Sequence, residues 1–110
     1  MKLIDAPMPK AVHKPEGSVD MRAFQADYAG DYFGIIYARE PDPTTGLLRI
    51  HVTISKSRDG RQVKLSSDDL DSIENAILNV GLAWPAEYEV HPFTAGPFAG
   101  AGLHIWQKWV

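Results

Sequence analysis

Three histidines carry the chemistry that this 110-residue chain most readily suggests. His51, His91 and His104 each fall within a stretch of alternating apolar and polar residues, and each sits at a polar position. If the three stretches are neighbouring strands of one sheet, the imidazoles can converge on one face. Three neutral imidazoles with an open position are what a zinc or other transition-metal site needs, and Glu87 or Glu89 could add a carboxylate. The plainer alternative is a set of polar-face histidines on a half-exposed sheet, with His104 stacked near Trp106. Neither an H-x-H nor an H-E-x-x-H spacing supports the metal.

Other catalytic patterns are weaker. Asp68, Asp69, Asp71 and Glu74 form a run of carboxylates, but at a helix start, where they complement the helix dipole. The chain has no G-x-S-x-G elbow to raise a serine nucleophile. The glycine-rich GPFAGAG at 96–102 precedes a strand, whereas a nucleotide loop must open a helix whose N–H groups meet the phosphates.

The segment 93–102 is longer than a tight hairpin requires. It holds Phe93, Pro97 and Phe98, rigid apolar groups that need cover, either from their own domain or from a partner. Trp84, Trp106 and Trp109 favour a partner, because aromatic side chains are enriched at interface hot spots. Asp68, Asp69 and Asp71 form the one candidate acidic patch that could compete for a basic surface.

The elements that must position these groups follow from periodicity. Residues 1–17 contain Pro7, Pro9 and Pro15 and read as an extended arm. In 18–30, Ser18 as a cap and Met21, Phe24 and Tyr28 on one helical face predict a short helix ended by Gly30. Residues 32–40 and 47–56 predict two strands of a hairpin or meander. The second has Leu48, Ile50, Val52 and Ile54 on one face and Arg49, His51, Thr53 and Ser55 on the other. SRDG is a turn, and RQVKL a short extension. Ser66 or Ser67 caps the strongest helix, whose stripe is Leu70, Ile73, Ile77 and Val80, with Gly81 as its left-handed terminator. EYEVHPF and GLHIWQKWV return to strands. The expected fold is α+β and two-layered: a mostly antiparallel four-stranded sheet with one main helix on one face, a short N-terminal helix and an extended arm. Residues 18–110 form its single domain.

The run from RIHVTISKS through the capped helix to EYEVHPF and LHIWQKW resembles a family of small phage and prophage proteins known as a domain of unknown function. In that family a V-S-V-S-like strand leads to an acidic helix, a V-x-x-H-P-like strand end follows, and the chain closes on L-H-[LI]-W. The matching positions are Val52–Ser55, Val90–Pro92 and Leu103–Trp106, within residues 48–109. This chain has KLSSDD where the family carries P-T-W-E-E, and FTAGPFAGAG in place of a short polar connection. The resemblance implies a phage or mobile-element origin and a target among host factors or defence components, without implying a reaction.

Charge and composition set the remaining bounds. Eleven basic residues scattered among fourteen acidic ones, net −3, disfavour nucleic acid, whose binding draws on clustered Lys and Arg. The absence of cysteine excludes thiolate chemistry, disulfides and iron–sulfur clusters. No apolar run approaches the ~18 residues of a membrane span, and the N-terminus lacks a signal-peptide core. The sequence therefore predicts a cytoplasmic protein without enzymatic activity that binds another protein. The C-terminal strand edge and the arm point to a homodimer. The alternatives are a zinc site on His51, His91 and His104, and a small-molecule module closed by the 93–102 loop over a pocket lined by Tyr88 and Trp106.

Overall fold

The computed structural model describes residues 1–9, 16–94 and 102–108. Within them the chain forms seven strands and one helix: β1 (Ile4–Ala6), β2 (Val19–Tyr28), β3 (Asp31–Pro41), β4 (Leu48–Arg58), β5 (Arg61–Gln62), α1 (Ser67–Asn79), β6 (Tyr88–Pro92) and β7 (Gly102–Gln107). All strands join one antiparallel sheet in the order β1-β2-β3-β4-β7-β6, with β5 folded back on the end of β4. No helix among the described residues is long and apolar enough to cross a membrane.

This corrects the expected four-stranded sheet with a second, N-terminal helix. Residues 19–28 are a strand, paired to β3 from Tyr28↔Asp31 back to Val19↔Arg39. The i, i+3, i+7 spacing of Met21, Phe24 and Tyr28 is coincidental. Phe24 and Ala26 are buried on the helix-covered face, while Ala23 is buried on the opposite one. Covering on both faces gives β2 a mixed apolar pattern that imitates a helical stripe. Gly30 is no helix terminator. Ala29 and Gly30 both have positive φ, 54° and 85°, which is the two-residue hairpin turn whose twist matches its strands. Asp59 and Gly60 repeat the device between β4 and β5, with φ 51° and 77°. The arm also contributes structure: β1 pairs with β2 through Ile4↔Gln25 and Ala6↔Ala23.

The main helix matches its sequence signals. Ser66 accepts from the Asp69 N–H at 3.1 Å, and the Asp69 carboxylate accepts from the Ser66 N–H at 2.8 Å, closing a capping box. At the other end Gly81 takes φ 83°, and the Leu82 N–H reaches back to the Ile77 carbonyl at 3.2 Å. Ile73 and Ile77 then close a single core with Phe33, Ile35, Tyr37, Val52, Ile54 and Ile105. The Tyr37 hydroxyl, pushed towards a higher pKa chiefly by burial, donates to the Ala83 carbonyl at 2.9 Å and ties the post-helix segment to the sheet.

A charged cluster fastens the helix start to this face. Lys56 Nζ lies 2.6 Å from Asp69 Oδ2 and 3.6 Å from Asp31 Oδ2. Arg58 grips Asp31 through Nε at 2.6 Å and through a second nitrogen at 3.1 Å. The Arg58 hydrogen bond holds the Asp31 carboxyl below the usual carboxylate range. Burial pushes the Asp69 carboxyl up, but Lys56 and the Ser66 cap outweigh it and its pKa falls.

Candidate functional site

The helix covers only one face of the sheet. Cross-strand register places Ile36, Ala38 and Glu40 of β3, Arg49, His51, Thr53 and Ser55 of β4, and His104 and Trp106 of β7 on the other. In an antiparallel pair directly opposed residues share a face, so Ala38↔His51↔Trp106 and Ile36↔Thr53↔His104 form two rows across three strands. The alternation in β4 places these side chains before any tertiary contact is considered.

Within these rows the polar groups bond one another. Glu40 Oε1 lies 3.1 Å from His51 Nδ1, and His51 Nε2 lies 3.1 Å from His104 Nδ1. Thr53 Oγ1 lies 3.3 Å from the same His104 nitrogen. The side chains of Glu40 and His51 are only 12% and 14% exposed, so the carboxylate needs this partner. Glu40 carries no proton to donate and therefore requires N–H at His51 Nδ1. A neutral His51 then has only a lone pair at Nε2, and His104 must donate from Nδ1. The chain of bonds leaves His104 Nε2 as an acceptor, and no described residue bonds it. Burial, and after it the repulsion that two protonated rings at His51 and His104 would feel, push the His104 pKa down against the pull of Glu40.

Flat groups extend the array on both sides. Trp106 stacks on His51 with ring centroids 3.9 Å apart and planes 4° apart, and Arg49 places its guanidinium carbon 4.1 Å above the Trp106 ring. At the other end the Phe93 ring meets His104 edge-on at 4.4 Å. Phe93 can lie there because residue 102 is glycine: a Cβ on Gly102 would fall 2.0 Å from a ring carbon. The order across the face is Arg49, Trp106, His51, His104, Phe93.

Beside this ladder the face is hollow. A cleft of about 370 Å³ lies between Pro7 and Pro9 of the arm and Phe93, floored by Ala23, Gly34 and Ile36. A second hollow of about 220 Å³ lies among Met21, Ala38, Glu40, His51 and His104. Ile36 and Thr53 line both. Gly34 keeps the floor low, since a Cβ there would already press on Ser55 Oγ at 3.0 Å.

The structure separates the residues singled out from sequence. His51 and His104 are in contact. His91 is opposite His104 in register but exposed, and its Nε2 lies 3.1 Å from Glu89 Oε2. Among the described residues no group of three or more ligand-type side chains is placed to hold a metal. Trp106 is half-buried in its stack. Trp84 is half-buried against the core and edge-on to Tyr88 at 5.8 Å. Tyr88 pairs with Gln107 on the helix-covered face, away from the cleft. Asp69 is consumed by the cap and Lys56, leaving only Asp68 and Asp71 exposed. Pro97, Phe98 and Trp109 lie outside the described residues. Sequence reasoning missed Glu40, Ile36 and the arm prolines. Glu40 had a signal, since it alternates with Ala38 and Ile36 on the polar side of its strand.

Compared with protein-family models, curated proteins and solved structures, the chain matches none.

Proposed function

We propose that this chain is a binding module whose site is the helix-free face, and that it takes a small organic molecule with an apolar body and a polar end. One observation carries the reading: an apolar hollow and a smaller one reaching Glu40, His51 and His104 adjoin on this face, with Ile36 and Thr53 lining both. Ligand sites combine such an apolar lining with a few convergent polar groups. The floor is built of small or flat-lying residues, and the arm and Phe93 wall it on two sides. A neutral apolar fluorophore, N-phenyl-1-naphthylamine, tests the reading. Its emission should rise on adding the protein, and Ile36→Trp, which fills both hollows from the floor, should abolish the rise. No rise with the native chain, or an equal rise with the variant, defeats the proposal.

A second reading has its own observation. β6 is the last strand in the sheet, four of its five residues are exposed, and among the described residues nothing pairs with its outer side. Such an edge can accept a strand from another chain, including a second copy. The resemblance to phage and prophage proteins would make a foreign partner a host factor or a defence component in a bacterial cytoplasm. Sedimentation at tens of micromolar that returns only monomer would remove the homodimer.

A further inference from the structure

The charge and proton arrangement at the deep end of the cleft narrows the class of ligand. Glu40 is the only charged side chain lining either hollow among the described residues. Arg49 is the direct cross-strand partner of Glu40, but its guanidinium lies over Trp106 and 3.5 Å from Asp42 and makes no ion pair with Glu40. Glu40 spends one oxygen on His51, and no described residue bonds the other. With His51 neutral, His104 Nε2 carries a lone pair and is a second acceptor that no described residue bonds. Thr53 Oγ1 accepts from His104 Nδ1, which leaves its hydroxyl hydrogen as the one side-chain donor beside these acceptors. The end of the cleft thus offers acceptors backed by a negative charge, in surroundings of Met21, Ile36 and Ala38 that screen it poorly.

We infer that the ligand is a small amine, with its ammonium group at Glu40 and its apolar body along Ile36 towards Phe93 and the arm prolines. The inference rests on the cleft being the binding site. An ammonium carries only donors and a positive charge, so it answers the open oxygen of Glu40 and neutralises the carboxylate. A carboxylate would meet lone pairs and a like charge, which costs affinity. An alcohol would satisfy one acceptor and leave the charge uncompensated. His104 is held neutral chiefly by its burial, so its lone pair remains available near pH 7. The groups facing His104 are consistent with this state. They are His51 of β4, Glu40 of β3 through His51, and His91 of β6, itself paired with Glu89.

Competition against the bound fluorophore tests it with three six-carbon probes: hexylamine, hexanol and hexanoate. Hexylamine should displace the fluorophore at a concentration about tenfold below that of hexanol, the equivalent of one charge-assisted hydrogen bond, and hexanoate should be the weakest. Glu40→Gln should erase the advantage of hexylamine over hexanol. If the fluorophore binds but hexanol or hexanoate competes as well as hexylamine, or none of the three competes, the amine assignment fails while the cleft stands. A hexylamine preference that survives Glu40→Gln overturns it as well. Failure of the fluorophore itself strikes the underlying site instead.

Discussion

Strand β4 carries a polar cluster on each face, and the two are built on opposite principles. On the helix-covered face, Lys56 and Arg58 meet Asp31 and Asp69, so that every charge has a counter-charge. On the bare face, Glu40, His51 and His104 make a line of hydrogen bonds that ends in unpartnered acceptors. A closed set of pairs holds two elements together and offers nothing to a newcomer. An open line, kept in place by stacking on Trp106 and by Phe93, is stable with an acceptor unspent at each end. The difference separates a fastening from a site more clearly than burial does, since both clusters, the exposed Arg58 aside, are largely hidden from water.

The sharpest way to break this contrast is Asp69→Ala. It strips Lys56 of its nearest partner, leaving only Asp31 at 3.6 Å, and removes half of the capping box, and should cost about 3 kcal/mol, the sum of a charge-assisted hydrogen bond and a cap. Urea unfolding measures it, and a loss below about 1 kcal/mol would show that the cluster fastens nothing. His51→Ala on the other face should cost less, about 2 kcal/mol, because it leaves Glu40 half-buried without a donor but releases no second element. A cost equal to that of Asp69→Ala would erase the distinction. Gly102→Ala should be milder still, about 1 kcal/mol, since the displaced Phe93 ring can rotate. Its signature is a shift of the His104 ring protons as the edge-on contact is lost.

Acidity separates the clusters most finely. The folded His104 pKa lies below its ordinary 6.5, so the unfolded chain takes up a proton first as pH falls. Stability from this group is full above 6.5 and declines gently from there towards the folded pKa. Asp31 and Asp69 are also depressed, from 3.8, so their contribution persists to that pH and is lost as pH falls through their folded values. Urea midpoints across pH should therefore show two separated declines. Asp69→Ala should remove part of the acid one, and His104→Gln should remove the one nearer neutrality.

Much of this was legible in advance, for reasons that differ by residue. The alternation of residues 48–56 assigned β4 and put His51 and Thr53 opposite Val52 and Ile54, because a strand has a fixed period of two. The caps of α1 were legible because Ser66, Asp69 and Gly81 act on atoms within a few residues of themselves. Residues 19–28 were misread because a strand covered on both faces has no single apolar side, and only the Ala29–Gly30 turn distinguished it from a helix.

By itself, then, the sequence determined which residues alternate, where the chain turns and what caps the helix, since all of these are decided by short-range geometry. Only the tertiary structure decided that β7 lies beside β4, bringing His104 to His51 across 53 positions of chain, and that the arm returns to wall the cleft. Strand order is settled by the packing of the whole sheet against one helix. It determines which imidazole meets which, and no local pattern encodes it.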